Sequence, residues 1–245
     1  MTKVRELYEF WGAESYAALE AELGESLDPR GRDWLFELFA SLGPRAGDVV
    51  VDIGARDGNH LRRLVEEHGV EGIALDPVPQ ADEVLEGTIE ELPLADSSAD
   101  WIWCRDVLVH VDVERGLGEC ARVLKPGGRM LAYVTLATDL LEPREAAWIM
   151  DACALATLDG IRIDAAAAAA GLELAEKAVL GGEWRERMIE EGEWDANEAL
   201  VRVSRLRRLG VTGSEADAYA ADKVWGVYQL LGKLCPTVYL WERRV

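Results

Sequence analysis

The stretch Asp48-Val49-Val50-Val51-Asp52-Ile53-Gly54-Ala55-Arg56-Asp57-Gly58 decides the fold. Its first half is a β-branched run with no amphipathic period, as a strand buried on both faces requires. Its second half is a glycine turn, and glycine lets a backbone approach a ligand closely. Asn59 to His68 then reads as a helix: Leu61, Leu64 and Val65 share one face, and Gly69 ends it. In open α/β sheets the crevice beyond the carboxyl end of such a strand is where ligands bind.

Working outward, Gly72 to Asp76 reads as a second buried strand, Glu83 to Gly87 as a short third and Trp101 to Val109 as a fourth. A helix from Glu114 to Leu124 stops at the turn Lys125-Pro126-Gly127-Gly128, and Arg129 to Ala137 is a fifth strand. Strands alternating with helices predict an α/β fold with a doubly wound, parallel sheet. Upstream, residues 4–23 read as one amphipathic helix with Val4, Leu7, Tyr8 and Trp11 on a shared face, and Asp33 to Leu42 as another helix. Downstream, Glu142 to Ala156 reads as helical. Asp164 is expected to cap the run Ala165 to Ala170, which Gly171 closes. Leu172 to Leu180 reads as a strand, residues 183–233 as mostly helical, and Thr237 to Glu242 as a last strand. With no repeat and no flexible linker, the expectation is a single domain over 1–245. Its parts are N-terminal lid helices (1–44), a ligand-binding core (45–137) and a second half of the sheet (138–245) with a helical cap at about 181–236.

Composition narrows the function. The 245 residues are 49% hydrophobic and 29% charged, the balance of a soluble globular protein. No apolar run approaches the roughly 18 residues that span a bilayer. The opening MTKVRELYEF lacks the apolar stretch of a secretory signal, so a cytoplasmic location is expected. A net charge of −20 would repel nucleic acid and anionic lipid, so neither is an expected partner. The basic cluster Arg202, Arg205, Arg207 and Arg208 reads as a solvated helix face. None of the four cysteines forms a C-x-x-C pair, and the three histidines are badly spaced for a metal, so no metal is expected. Cys104 and Cys120 read as small buried hydrophobes.

Five motifs in order carry a resemblance. Asp52-x-Gly54-x-x-x-Gly58 is similar to the first motif of class I S-adenosylmethionine-dependent methyltransferases of small-molecule type. Asp76 matches that family's acid after the second strand. Gly87 to Asp100 resembles its third-strand motif, Trp101 to Val111 its fourth strand and exit, and Glu119 to Gly128 the helix and turn before its fifth strand. The resemblance covers residues 45–137 and implies S-adenosyl-L-methionine as cofactor. It also implies a seven-stranded sheet, six strands parallel and one antiparallel, with Thr237 to Glu242 as the antiparallel one. A nicotinamide-binding protein on the same fold would need Gly-x-Gly-x-x-Gly, which is absent here.

The cofactor residues implied are Asp52, Gly54, Arg56, Gly58, Asp76, Pro77, Thr88, Ile89 and Arg105. A carboxylate at Asp76 can accept from both ribose hydroxyls. Two positions depart from the family pattern. Arg56 replaces the middle glycine, offering either its backbone or its side chain to the cofactor. Thr88 replaces the usual acid near the adenine amino group, where a hydroxyl can still accept one bond.

The implied chemistry is methyl transfer to an N, O or C nucleophile of a small molecule, with specialised metabolism as the expected setting. His110 is the first candidate catalytic residue, as general base or as a structural hydrogen-bonding group. Asp106 is the second, and could instead cap or pair with Arg105. His60 is expected to pack at the cofactor helix and His68 to end it. Because the last strand is antiparallel, residues 181–236 must begin and end over the cofactor face. That insertion and the N-terminal helices could form a lid, with Tyr8, Trp11, Tyr16, Trp184, Trp225 and Tyr228 as candidate substrate contacts. Two other readings stand beside this one: a methyltransferase-fold protein that binds the cofactor but catalyses other chemistry such as cyclisation, and a non-catalytic cofactor-binding subunit. The acceptor and the oligomeric state are left open.

Overall fold

The computed structural model describes residues 3–244. Two short helices lead the chain, α1 (Lys3–Trp11) and α2 (Glu14–Leu23), followed by α3 (Trp34–Ser41). The alternating core runs β1 (Val49–Ile53), α4 (Asn59–His68), β2 (Glu71–Asp76), β3 (Val84–Glu86), β4 (Ala99–Arg105), α5 (Val113–Val123) and β5 (Leu124–Ala137). Then come α6 (Pro143–Ala152), α7 (Gly160–Ala169) and β6 (Leu172–Val179). The insertion α8 (Glu183–Glu190), α9 (Ala196–Arg208) and α10 (Ser214–Leu230) precedes β7 (Leu234–Arg243). Among the described residues no helix is long and apolar enough to cross a membrane.

The seven strands form one sheet in the order β3-β2-β1-β4-β5-β7-β6. Neighbours from β3 to β5 pair in parallel, and β7 runs antiparallel to both β5 and β6. The expected one antiparallel strand is therefore the last one. Side chains alternate across the sheet as the strand period demands. On β5, Met130, Ala132 and Val134 face a core built with α5, α6 and α7, while Leu131 and Tyr133 face a second core built with α3, α4 and α8. That second face is rich in rings: Phe36 stacks on Trp103 at 5.0 Å, and Trp184 stacks on Tyr133 at 5.4 Å. Edge strand β6 carries Glu173, Glu176 and Lys177, charges that oppose pairing with another chain.

Four readings of the sequence are corrected. The N-terminal helix breaks at Gly12-Ala13 into α1 and α2, and neither buries a residue. The fourth strand ends at Arg105 rather than Val109, because Asp106 turns into a left-handed conformation at φ 54°. The helix expected over Glu142 to Ala156 ends at Ala152. Finally, α7 starts a turn earlier than the alanine run suggested. Its cap is Asp159, whose carboxylate accepts from the Ile161 N–H at 2.8 Å. Asp164 lies inside the helix and pairs instead with Lys177 of β6.

The linker between α2 and α3 is anchored to α8. Arg30 pairs with Glu183 at 2.6 Å, Arg187 with Asp28 at 2.9 Å, and Arg32 with Glu193 just beyond the helix. Ser26 donates to Glu190 at 2.8 Å.

Removing the α7 cap should cost more than removing the mid-helix acid. We expect Asp159→Ala to lower stability by about 1 kcal/mol and Asp164→Ala, which loses one part-exposed ion pair, by about 0.5 kcal/mol or less. Urea denaturation of the two variants checks this, and equal losses would restore Asp164 as the cap.

Candidate functional site

The site opens where β1 ends. Gly54, Arg56 and Gly58 all take positive φ, at 77°, 52° and 72°. At Gly54 the reason is space as well as angle: a Cβ there would run into Val107. Arg56 takes the left-handed conformation that glycine supplies elsewhere. Its backbone N–H donates to Asp76 at 2.9 Å, while its guanidinium turns away to Gln80 at 3.0 Å. Gly58 is buried and caps α4, whose N-terminus aims its partial positive charge at this loop.

Beyond the loop lies a cleft of about 690 Å³. Gly54, Arg56, Asp76, Pro77, Thr88, Ile89 and Arg105 all line it, as do Asp106 and His110. Each carboxylate oxygen of Asp76 accepts one backbone N–H, from Arg56 at 2.9 Å and Val78 at 2.8 Å. Both oxygens keep lone pairs for further donors. Val78, Gln80 and Glu90 also line the cleft and were not singled out in the sequence. Glu90 sits inside a motif that was read. Gln80 enters only through its contact with Arg56, which no spacing reveals.

A second lobe of about 430 Å³ shares Gly54, Arg56, Arg105 and Asp106 with the first and adds Asp52 and His60. Its electrostatics are unusual. Burial pushes the Asp52 carboxyl up to about 7, against a backbone hydrogen bond from Leu61, and its Oδ2 has no hydrogen-bond partner. Burial, aided by the Arg105 guanidinium, brings the His60 imidazole down to about 4. Arg105 lies 3.2 Å from His60 Nε2. A guanidinium can only donate, so Nε2 accepts and the imidazole is neutral with its proton on Nδ1.

On the β4 exit, Asp106 accepts from the Thr135 hydroxyl at 3.2 Å, and burial pushes its carboxyl up. His110 is exposed and its Nδ1 lies 3.3 Å from the Ala154 carbonyl. A carbonyl can only accept, so this contact places the neutral imidazole's proton on Nδ1. Nε2 is then left with a lone pair.

None of the candidate substrate aromatics lines the cleft. Tyr8 and Trp11 are exposed on α1 and pack on one another at 5.3 Å. Tyr16 packs on Phe10 at 5.4 Å. Trp184 is buried against Tyr133 and Trp34. Trp225 packs at the edge of the larger core, and Tyr228 reaches Glu145 at 3.4 Å. Tyr8, Trp11 and Tyr16 have nothing to close against, while the cap rings are spent on holding the cap to the sheet. The six are therefore not part of the cleft in this structure.

Residues 51–132 match the family model of a methyltransferase domain. That stretch of the chain is similar to a methyltransferase domain. An uncharacterized methyltransferase of Mycobacterium tuberculosis is 38% identical over 115 residues, which are 43% of this chain and 44% of that protein. The chain thus matches less than half the length of that curated relative. Among solved structures, a protein assigned as a sarcosine dimethylglycine methyltransferase from Galdieria sulphuraria superposes with a TM-score of 0.68 at 23% identity. That match covers 86% of this chain and 84% of the other. The cyclase SpnF superposes with a TM-score of 0.65 at 18% identity, covering 87% of this chain and 81% of the other. These two likenesses establish a shared fold, not a shared reaction.

The raised carboxyl at Asp52 has a signed consequence. Unfolded, it titrates near its ordinary value of about 3.9. Folded, it holds its proton up to about pH 7. The stability it carries is present below the unfolded value and is lost as pH rises through about 7. Asp52→Asn keeps the shape without the charge. We expect this variant, without cofactor, to exceed wild type at pH 8 by about 1–3 kcal/mol in urea denaturation, and to lose that advantage at pH 4. A wild type more stable at pH 8 would show the carboxylate to be well satisfied.

Proposed function

We propose that the protein transfers a methyl group from S-adenosyl-L-methionine to an N, O or C nucleophile of a small molecule, and we keep specialised metabolism as its setting. One observation carries this reading: a single cleft gathers the glycine turn after β1, the acid after β2 and the polar exit of β4. Three features of the chain fit the cofactor. Gly54 lines the cleft without a side chain, Asp76 holds free lone pairs at the rim, and the orphaned Asp52 Oδ2 lies in the adjoining lobe.

When bound, the cofactor supplies an electrophilic methyl and its own leaving group. The chain must then bind, orient and keep out water. Asp76 would hold the ribose hydroxyls, and Pro77, Thr88 and Ile89 would flank the adenine. Arg105, which has no carboxylate partner among the described residues, would take the cofactor's carboxylate. Neutral His60 beside it adds no competing charge. His110 would accept a proton at Nε2 when the acceptor arrives protonated. Asp106 would keep the acceptor's polar group in place.

Both rival readings share the cofactor site. Cyclisation, and binding without catalysis, leave S-adenosylmethionine unconsumed. Formation of S-adenosylhomocysteine, screened over amines, phenols and carboxylic acids, separates methyl transfer from both. No turnover on any acceptor would favour the rivals.

At the ribose end, Asp76→Ala should weaken S-adenosylhomocysteine by about 1.5–3 kcal/mol, read by calorimetry, and unchanged affinity would remove Asp76 from the site. At the reacting end, His110→Ala should lower turnover by a factor of about 10²–10⁴ with cofactor affinity unmoved. If His110 only orients, His110→Asn should keep most of the activity. Full activity in both variants would remove the histidine from the chemistry.

A further inference from the structure

A guanidinium without an ion pair among the described residues is linked to this cleft by a chain of hydrogen bonds. Arg185 of α8 is half-buried and forms no ion pair with any carboxylate among the described residues. Its Nε donates to Gln229 Oε1 at 2.5 Å, and its Nη1 meets only the Met188 sulfur, at 3.3 Å. Its guanidinium carbon lies 5.5 Å from the Trp194 ring centroid. Gly226 on α10 makes room for this arrangement, since a Cβ there would approach the Trp194 ring at 2.8 Å and Arg185 Nε at 3.1 Å.

The seat is wired to the cleft. Gln229 is buried and donates to the Thr135 hydroxyl at 3.4 Å, which in turn donates to Asp106 at 3.2 Å. Every donor in this chain points from the arginine toward the carboxylate. Arg105 and Arg185 both act on Asp106 and oppose one another. Asp106 and Asp222 both act on Arg185, yet neither forms an ion pair with it among the described residues. Burying a cation without a partner is costly, and retaining one beside a binding cleft points to an anion that arrives with the ligand. Arg105 serves the cofactor, so the second positive charge is left for the acceptor.

We propose that Arg185, held between Trp194 and Gln229, receives a negatively charged group of the methyl acceptor, a carboxylate or a phosphate. The inference rests on the methyl-transfer reading of the same cleft and narrows its substrate to small anions. A planar fork is suited to this task, because it can bind two oxygens at once.

The test is calorimetry on the full chain saturated with S-adenosylhomocysteine, titrated with malonate, inorganic phosphate and uncharged malonamide. One of the two anions should bind and malonamide should not, and the tighter anion identifies the group. Arg185→Gln should weaken that anion by about tenfold to a hundredfold, and Arg185→Lys should fall between, with S-adenosylhomocysteine affinity unchanged in both. Wild type binding neither anion, or Arg185→Gln binding it as wild type does, would overturn the proposal. So would a loss of S-adenosylhomocysteine affinity in Arg185→Gln, which would move the arginine to the cofactor. If Arg185→Gln fails to fold, by circular dichroism, weakened anion binding in Arg185→Lys supports the proposal and unchanged binding overturns it. If the protein bound no S-adenosylhomocysteine, methyl transfer would fall separately, and the same titration of the free protein would still decide the role of Arg185.

Discussion

The structure depends on one close approach, that of Val107 to the backbone of Gly54. The chain leaving β1 must turn at once, and the chain leaving β4 must pass beside it. Only a residue without a Cβ lets the two exits lie together. Their meeting brings Asp106 and His110 to the same cleft as Asp76 and Thr88, although the residues lie far apart in sequence. Widening that contact would separate Asp76 and Thr88 from Asp106 and His110.

Charge is distributed against the background of the molecule. The chain is strongly acidic, yet the cleft holds the Arg105 guanidinium, a neutral imidazole and a carboxyl that resists ionising. Burial sets the last two states, and the aromatic packing of Phe36, Trp103 and His60 supplies that burial. The ring-rich core behind β1 and β4 therefore tunes the site as well as stabilising the sheet. On the opposite face of the sheet, burial in the other core pushes the Cys104 and Cys120 thiols up, leaving them inert.

Much of this was legible in the sequence because local signals agreed. α4 runs from Asn59 to His68 as read, since its apolar face and its flanking glycines mark the same ends. Gly54, Arg56, Asp76, Thr88 and Arg105 could be read together because each sits within a short motif at or just past the end of a strand, and all five line one cleft. The reading failed where one local signal had two possible partners. Asp164 stood before an alanine run and looked like a cap, but Asp159 reaches the helix end first and Asp164 is taken by Lys177. The aromatics of the insertion looked like substrate contacts because composition does not distinguish a ring facing a ligand from one anchoring a cap. Arg185, Gln229 and Thr135 belong to three distant elements, and only the folded sheet brings them together.

The position of β7 has a consequence for how the molecule is made. It lies between β5 and β6, yet it follows both in the chain. As the polypeptide leaves the ribosome, β1 to β5 can pair among themselves, but β6 has no neighbour until Leu234 to Arg243 has emerged. During that interval β5 presents an apolar open edge. The α8 to α10 segment is synthesised in the same interval. Those helices precede β7 in the chain, so they are synthesised before the strand that completes the sheet.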